Sequence, residues 1–459
     1  MRVVDEYVKT GYFWLPGCEE NKIPGILTIK NGGYIELEIV GLFDERIKLL
    51  NDDGLKRIIG HVENDGLVTL DDCFYTSKSH SFGNISKSKL VVNQVFSGVA
   101  YDENELVTFN TFSFSVDCLD EWIRVSGIKV NHDYENNTAT ISYNPQENIT
   151  YYLDNGMKLE ICFGYTLPCS PVTTEAKITQ RVYFKLTSKE LSPLSEFRTI
   201  AYKLTNFLSF AVDTTVALKN LSATSTEIQK DIGNGEKHSV IIKIYYRSTP
   251  FTEKEPNTSW YEMLFTFGTI KSNTQDVLNN WLGAYETMAP ALSLYFSTKN
   301  GVQKYNGGKF LALAQGLETY HRKTSNEKLM ESSEFEVLVS KIIENCPEQN
   351  IEWLKGRLMY GNEISLGNRL KRIIEPFKNK LGSKKERKRL LRKIVDTRNY
   401  LTHYNEDLKE NAADGIELWN LCQKMEAIFQ LHFLKVIGFS EKEIDSVVEN
   451  CHTLKNKIK

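Results

Sequence analysis

The spacing of apolar residues changes near residue 265, and this change limits the chain to a fold with two differently built parts. Before it, apolar and polar residues alternate, as in Tyr34-Ile35-Glu36-Leu37-Glu38-Ile39, which is typical of half-buried strands. After it, apolar residues recur every three to four positions, as in an amphipathic helix. The 459 residues also exceed what one hydrophobic core usually supports. We therefore predict a multidomain α+β protein, β-rich over residues 1–265 and all-α over residues 270–459.

The first part has the sequence signals of strands joined by tight turns. Residues 25–30 and 34–40 flank Asn31-Gly32-Gly33, a glycine-rich hairpin turn. Short strands separated by turns recur at similar intervals along this part of the chain, and this spacing predicts a sandwich or barrel-like architecture. A one-face apolar stripe beginning at Phe197 predicts a single helix packed on the sheet. We place a subdomain boundary near residue 168. Further strands are predicted at residues 57–62, 67–70, 89–96, 106–116, 138–143, 158–163, 177–186 and 239–246.

The second part has apolar stripes separated by Pro376 and Gly382, which predict a helical bundle. We expect a kink at Pro290, inside the first of these helices. The predicted helices cover residues 274–297, 308–323, 333–344, 364–375, 383–404, 412–437 and 441–451.

Composition favours an ordinary cytoplasmic protein. Hydrophobic residues make up 41% and charged residues 25%, and the formal net charge is -3. The start of the chain lacks the apolar core of a signal peptide, and the most apolar window, residues 281–296, is too short to cross a bilayer. The eight cysteines form no C-x-x-C pair. We therefore expect reduced thiols, a cytoplasmic location, no membrane partner, no metal site and no cofactor.

One region is strongly cationic although the whole chain is not. Residues 369–398 contain thirteen basic and three acidic residues, a local balance of +10. Such a region attracts a polyphosphate backbone because binding releases counterions. A solvated helix face is the alternative interpretation of any lysine and arginine run. The predicted RNA-binding residues are Lys384, Lys385, Arg387, Lys388, Arg389, Arg392 and Lys393.

The segment Arg398-Asn399-Tyr400-Leu401-Thr402-His403 follows the basic run and is the strongest candidate for chemistry. At 100° per residue, Asn399 and His403 share a helical face, whereas Arg398 lies about 140° from His403 and must curl its side chain to reach it. Each chain thus supplies one acid/base, and a two-fold pairing would bring a second histidine. Arginine and histidine at this spacing also occur as unrelated surface residues.

These residue types suit RNA cleavage without a metal. RNA carries its own nucleophile, the 2′-hydroxyl. A histidine can transfer protons near neutral pH, and an arginine can hold two phosphate oxygens while charge develops on them. DNA lacks the nucleophile and should be inert.

The R-N-x-x-x-H pattern on a basic helix resembles the HEPN superfamily, and residues from about 300 to 455 resemble its Apea-like HEPN domain. The segment from Gln315 to Arg322 is similar to the E-x-x-H-R-like segment of the first bundle helix in that family. The stretch from Gly98 through Phe112-Ser113-Phe114 to Asp120-Glu121-Trp122 resembles the ApeA N-terminal domain. Together these similarities cover most of the chain.

The resemblance implies a bacterial anti-phage protein of the abortive-infection type. Its HEPN domain would be a dimeric endoribonuclease, with transfer RNA among the candidate substrates, and its N-terminal domain would sense a phage-derived trigger. Arg398 and His403 match the two fixed residues of the motif, and Asn399 its polar second position. Some HEPN toxins carry a modified tyrosine two residues after the histidine. Here Asn405 occupies that position and Tyr404 is one residue short, which argues against this regulation.

Four further residues, near the motif or on the first bundle helix, could support the site. Glu318 and Arg322 could face the motif as orienting groups or phosphate contacts, or could form an intrahelical pair on a solvated face. His321 lies on the same helical turn. Asp396 could orient Arg398 or be an ordinary surface residue.

The rival hypotheses for the whole chain are a non-catalytic RNA- or protein-binding HEPN module and a structural interaction protein. The intact Arg398, Asn399 and His403 set favours the nuclease.

Overall fold

The structure, a computed structural model, describes residues 1–43, 54–79, 86–170, 174–231, 233, 235–299 and 305–459. It contains two compact units, Met1–Leu282 and Gly283–Lys459. The boundary between them falls inside a helix of 24 residues, Thr274–Ser297, which continues through Pro290.

The N-terminal unit is built mainly of antiparallel strands, as the alternating pattern predicts. Turn residues with positive φ, such as Asn64 and Gly66, join consecutive strands. The strands are β1 Tyr7–Trp14, β2 Ile23–Lys30, β3 Tyr34–Ile39, β4 Gly54–Val62, β5 Gly66–Ser79, β6 Lys87–Ser97, β7 Thr108–Val116, β8 Ile128–Asp133, β9 Thr138–Tyr143, β10 Ile149–Tyr152, β11 Lys158–Thr166, β12 Thr179–Pro193, β13 Leu218–Thr224, β14 Gln229–Asp231, β15 Lys237–Ser239 and β16 Ile242–Tyr246.

The first six strands close into a barrel. Their order is β6-β3-β2-β1-β4-β5, and β5 pairs with β6 to complete the ring. Every second side chain points inward, and Phe13, Leu27, Leu37 and Leu90 are fully buried in the barrel core. A Cβ at Gly60 would lie 2.6 Å from the ring of Phe13, so only glycine leaves room for this ring. The barrel-like expectation is therefore confirmed.

A sheet continues from the barrel through β16, in the order β6-β16-β13-β7-β12-β11-β10. The unit also contains the helices α1 Leu119–Ile123, α2 Leu194–Ala211 and α3 Phe267–Ile270. Helix α2 packs on the sheet through the predicted stripe, with Phe197 stacked against Phe112 at a centroid distance of 6.0 Å. Its buried residues include Leu204, Phe207 and Leu208.

The C-terminal unit is helical, as predicted. From the end of the helix Thr274–Ser297 onward, buried aromatic side chains form its core, with the ring of Tyr295 against those of Phe429 and Phe433 at centroid distances of 5.5 Å and 5.2 Å. The remaining helices are α4 Thr274–Ser297, α5 Asn306–Thr324, α6 Ser332–Glu344, α7 Ile351–Leu358, α8 Leu366–Ile374, α9 Lys384–His403, α10 Gly415–Val436, α11 Glu441–Asn450 and α12 His452–Ile458.

Helices α5, α8, α9 and α10 supply buried surface in the C-terminal unit, and α4, α11 and α12 add further buried residues such as Tyr295, Val447 and Leu454. Phe310, Leu313 and Leu317 of α5 are fully buried. In contrast, α6 and α7 contain no buried residue. Within the described ranges, no helix is both long enough and apolar enough to span a membrane.

Candidate nucleic-acid cleavage site

Helix α9 carries the candidate motif on its last two turns. The helix begins with a capping box, in which the Ser383 hydroxyl accepts a hydrogen bond from the Glu386 backbone and the Glu386 carboxylate accepts one from the Ser383 backbone at 2.7 Å. It ends at Tyr404, whose φ of 49° lies in the left-handed region, and the Tyr404 N–H donates to the carbonyl of Tyr400. The motif is therefore placed next to a defined helix end.

Contacts on the inner face of α9 fix its rotation. Ile394 and Thr397 are buried, and the Thr397 hydroxyl accepts a hydrogen bond from the Ala413 backbone at 2.8 Å. The side chain of Leu401 lies beside Gly307 at the start of α5. These contacts leave Arg398, Asn399 and His403 toward the outer surface.

Arg398 bends toward the flank that Asn399 shares with His403. Its guanidinium donates to the side-chain oxygen of Asn399 at 3.3 Å. The imidazole of His403 is exposed, and in the described part of the chain it has no hydrogen-bond or ion-pair partner. It is therefore accessible to a ligand. Tyr404 is also exposed, and its ring lies edge-on to that of Tyr400 at 5.7 Å.

Asp396 interacts with a residue of the basic run. Its carboxylate lies 3.4 Å from Nε of Arg392 in an i,i+4 pair. No hydrogen bond or ion pair joins Asp396 to Arg398 across the residues that the structure describes.

Glu318, His321 and Arg322 belong to a separate polar cluster at the other end of α5. Glu318 and Arg322 form the i,i+4 pair at 3.0 Å, and Arg322 also reaches Glu363 at 2.7 Å. Arg369 bonds to the same Glu363 carboxylate and approaches Nδ1 of His321 at 3.3 Å. No bond among the described residues connects this cluster with α9.

The surroundings of His321 in this cluster favour its neutral form. Burial, and then the neighbouring charge of Arg369, lower the pKa of His321. A neutral imidazole can accept the hydrogen bond that the Arg369 guanidinium donates to Nδ1. Neither Glu363 nor Arg369 was singled out from the sequence, because the residues of α5 that they contact, Arg322 and His321, lie more than forty residues away along the chain.

The basic run divides into residues with and without local partners. Arg387 donates to the carbonyls of Lys378 and Gly382, and Lys393 lies 3.4 Å from Glu417. Lys384, Lys385, Lys388 and Arg389 are exposed and have no such partner in the described ranges. These four side chains therefore remain available to an external polyanion. The Arg387 side chain instead bonds to the segment that precedes α9.

In the described ranges, no three histidine, cysteine, aspartate or glutamate side chains come together as metal ligands would.

A helical bundle with an arginine and a histidine on the exposed end of a basic helix is the arrangement expected of a HEPN domain. The model of the Apea-like HEPN family matches residues 311–443, and that of ApeA N-terminal domain 1 matches residues 8–281, more than half of the chain. The chain belongs to the ApeA family and is a HEPN-domain protein of the anti-phage type. Neither curated proteins nor solved structures give a significant match to it.

Proposed function

We propose that the chain is an endoribonuclease of anti-phage abortive infection that cuts RNA at a site formed by Arg398, Asn399 and His403. The observation that carries this proposal is the arrangement at the end of α9. The guanidinium of Arg398 is directed to the flank of the helix where the accessible imidazole of His403 lies. The unpaired lysines of the same helix favour a polyanionic substrate.

In the proposed reaction, the 2′-oxygen attacks the adjacent phosphorus and the bond from phosphorus to the 5′-oxygen breaks. A base removes the 2′-hydroxyl proton, and an acid protonates the leaving 5′-oxygen. Arg398 stabilises the charge that grows on the phosphate oxygens. The products are a 2′,3′-cyclic phosphate and a 5′-hydroxyl, and no metal is needed.

One imidazole for each site would have to serve as both base and acid. We therefore propose that two copies of the C-terminal unit pair, so that His403 of each chain contributes to proton transfer. The N-terminal unit would regulate the nuclease, with a phage protein as the trigger. The substrate class is RNA, with transfer RNA as one candidate because its loops expose unstacked bases.

The proposal is tested by cleavage of RNA in the presence of EDTA. We expect the wild type to release 2′,3′-cyclic phosphate ends, and His403→Ala and Arg398→Ala to lose this activity while remaining folded. His452→Ala is the matched control, because His452 is exposed and bonds only within α12 to Asn456. An oligonucleotide with one 2′-deoxy sugar at the cut position should resist.

A non-catalytic RNA- or protein-binding module is the alternative function. It would bind RNA in a salt-dependent manner without product, and the basic residues but not His403 would matter. Unchanged RNA cleavage and cell toxicity in both the His403→Ala and Arg398→Ala variants would show that the site is misassigned.

A further inference from the structure

A cationic cleft lies in the C-terminal unit between the first half of α9 and the first half of α10. Its volume is about 520 Å³. Arg389 and Lys393 line it from α9, Lys424 lines it from α10, and Lys380 lines it from the segment before α9. Cations thus converge on one concave space from three parts of the chain, although Lys424 lies outside the basic run.

Two of these cations are not neutralised by the protein. Lys393 is paired with Glu417 at 3.4 Å, and Lys380 is paired with Asp445. Arg389 and Lys424 have no acidic partner within 4 Å among the described residues. Lys459 also lines the cleft and is exposed.

The one other carboxylate in the cleft, that of Glu386, is already engaged. It accepts the hydrogen bond from the Ser383 backbone that caps α9. The bonds from Ser383, followed by the charge of Lys424, hold the pKa of Glu386 below its usual range. The hydrogen bonds do not remove the charge of Glu386, but five cationic side chains line the cleft against the two carboxylates of Glu386 and Glu417. The cleft therefore keeps an excess of positive charge that a phosphodiester group could neutralise.

Arg389 of the cleft and His403 of the motif lie along one face of the same helix. Arg389 and His403 are fourteen residues apart, which corresponds to about 21 Å along the axis and about 40° in azimuth. Tyr400 lies between them on this face and is half-buried. The charge of Asp396, which also lies on this face, is offset by Arg392 at 3.4 Å. A single strand could therefore follow the face from the cleft to the motif.

We propose that this cleft binds the phosphate backbone of the RNA substrate about 20 Å from the bond that is cut, through Arg389 and Lys424. This inference rests on the proposed nuclease function. Lys323 and Lys341 provide a comparison, because they are exposed lysines of the same unit that lie outside the basic run and do not line the cleft.

The experiment compares the full-length double variant Arg389→Gln/Lys424→Gln with the matched double variant Lys323→Gln/Lys341→Gln. Each removes two positive charges. For a twelve-nucleotide RNA, we expect the cleft pair to raise KM at least ~10-fold with kcat unchanged, and the control pair to raise it only slightly. For a dinucleotide, which is too short to span about 21 Å, neither pair should change kcat/KM.

Binding is measured in parallel in the inactive His403→Ala background. Removing two phosphate contacts from a single strand should reduce the slope of log affinity against log salt by about 1.4. Thermal unfolding of each variant checks that the fold is intact. The Lys424→Gln variant should bind RNA more weakly than the wild type. The Lys424→Arg variant, which keeps the positive charge in the cleft, should bind RNA about as tightly as the wild type.

Equal effects of the two double variants on the long RNA would overturn the cleft and leave the nuclease proposal standing. If Arg389→Gln/Lys424→Gln lowers kcat/KM for the dinucleotide as much as for the long RNA, the proposed role of the cleft is also wrong. If the wild type binds RNA but never cuts it, the nuclease proposal fails. The comparison of the two double variants in the binding assay still decides whether the cleft holds the phosphate backbone.

Discussion

The side chains of Arg398 and His403 project from α9 in directions about 140° apart around the helix axis. Asn399 projects between these two directions. The hydrogen bond from the Arg398 guanidinium to the Asn399 side chain holds the arginine on the flank of the histidine. A substrate phosphate on this flank would meet the guanidinium and the imidazole together. The shape of the guanidinium therefore matters as much as its charge.

Arg398→Lys should lower kcat on the order of 10²-fold, because an ammonium group cannot hold two phosphate oxygens in a fixed fork. The melting temperature should hardly change, since Arg398 is only half-buried and its side chain bonds to the adjacent residue. Single-turnover cleavage kinetics and thermal unfolding measure the two effects. A kcat equal to that of the wild type would show that the positive charge alone is required.

His432 is a buried histidine whose effect is on stability. Burial lowers its pKa to about 4, and it hydrogen-bonds through Nε2 to the carbonyl of Ile373 at 2.8 Å. In an unfolded chain its pKa would be about 6.5. The folded state therefore binds fewer protons at this residue. The resulting stability is complete above pH 6.5 and declines as the pH falls from about 6.5 to 4.

At pH 5 the wild type should be less stable than at pH 7 by about 2 kcal/mol from this residue alone. His432→Gln, whose amide can donate to Ile373, should lose most of this difference. Urea unfolding followed by far-ultraviolet circular dichroism at both pH values measures it. The exposed His452→Ala variant should keep the pH dependence of the wild type, and an unchanged dependence in His432→Gln would contradict the assignment.

At the scale of elements, one buried carboxylate joins several helices of the C-terminal unit. Glu426 of α10 lies beside Lys299 after α4, Lys309 of α5 and Lys457 of α12. Burial alone would raise the pKa of Glu426, but the charges of the three lysines hold it well below its usual range. The carboxylate is therefore ionised, and its removal would leave three lysines facing a neutral group.

Glu426→Gln should destabilise the helical unit by about 3–5 kcal/mol, the usual effect of breaking a buried ion pair from one side. Glu410→Gln removes an exposed carboxylate and should have almost no effect. Chemical denaturation at neutral pH gives both values. A loss of less than about 1 kcal/mol in Glu426→Gln would mean that the lysines rearrange toward solvent.

The elements that the sequence predicts best are those whose burial follows a local period. The predicted helix at residues 383–404 corresponds to Lys384–His403, and the stripe from Phe197 is buried in α2. The closure of the barrel was not predictable, because β1 pairs with β4 and β3 pairs with β6, as in Gly11 with Val62 and Ile35 with Val92, and these partners are distant in the sequence. Strand β1 was also missed, although its pattern alternates.

The candidate site follows the same rule. Arg398, Asn399 and His403 are close in sequence, so helical geometry alone relates them. Lys424 contributes to the cationic cleft from another helix, and nothing in its local sequence indicates this. The ion pair of Glu363 with Arg322 likewise joins residues 41 positions apart. Such contacts require the packing of the whole bundle.

At the scale of the whole molecule, the two family matches correspond to differently built units. ApeA N-terminal domain 1 covers residues 8–281, and the first compact unit is Met1–Leu282. The Apea-like HEPN match lies within Gly283–Lys459. The barrel unit and the HEPN unit are therefore distinct in both sequence family and architecture, which suits the proposed division into sensing and cleavage.

The proposed dimer makes a quantitative prediction about mixed proteins. Wild type and His403→Ala are unfolded and refolded together in equal amounts, so that subunits pair at random. If acid and base come from two chains, only about a quarter of the dimers contain both histidines, and activity should be about a quarter of that of wild type alone. If each chain holds a complete site, about half should remain, and the shared-site mechanism would be wrong. A mixture with Lys341→Ala, whose motif and basic run are intact, controls for the refolding step and should keep nearly full activity.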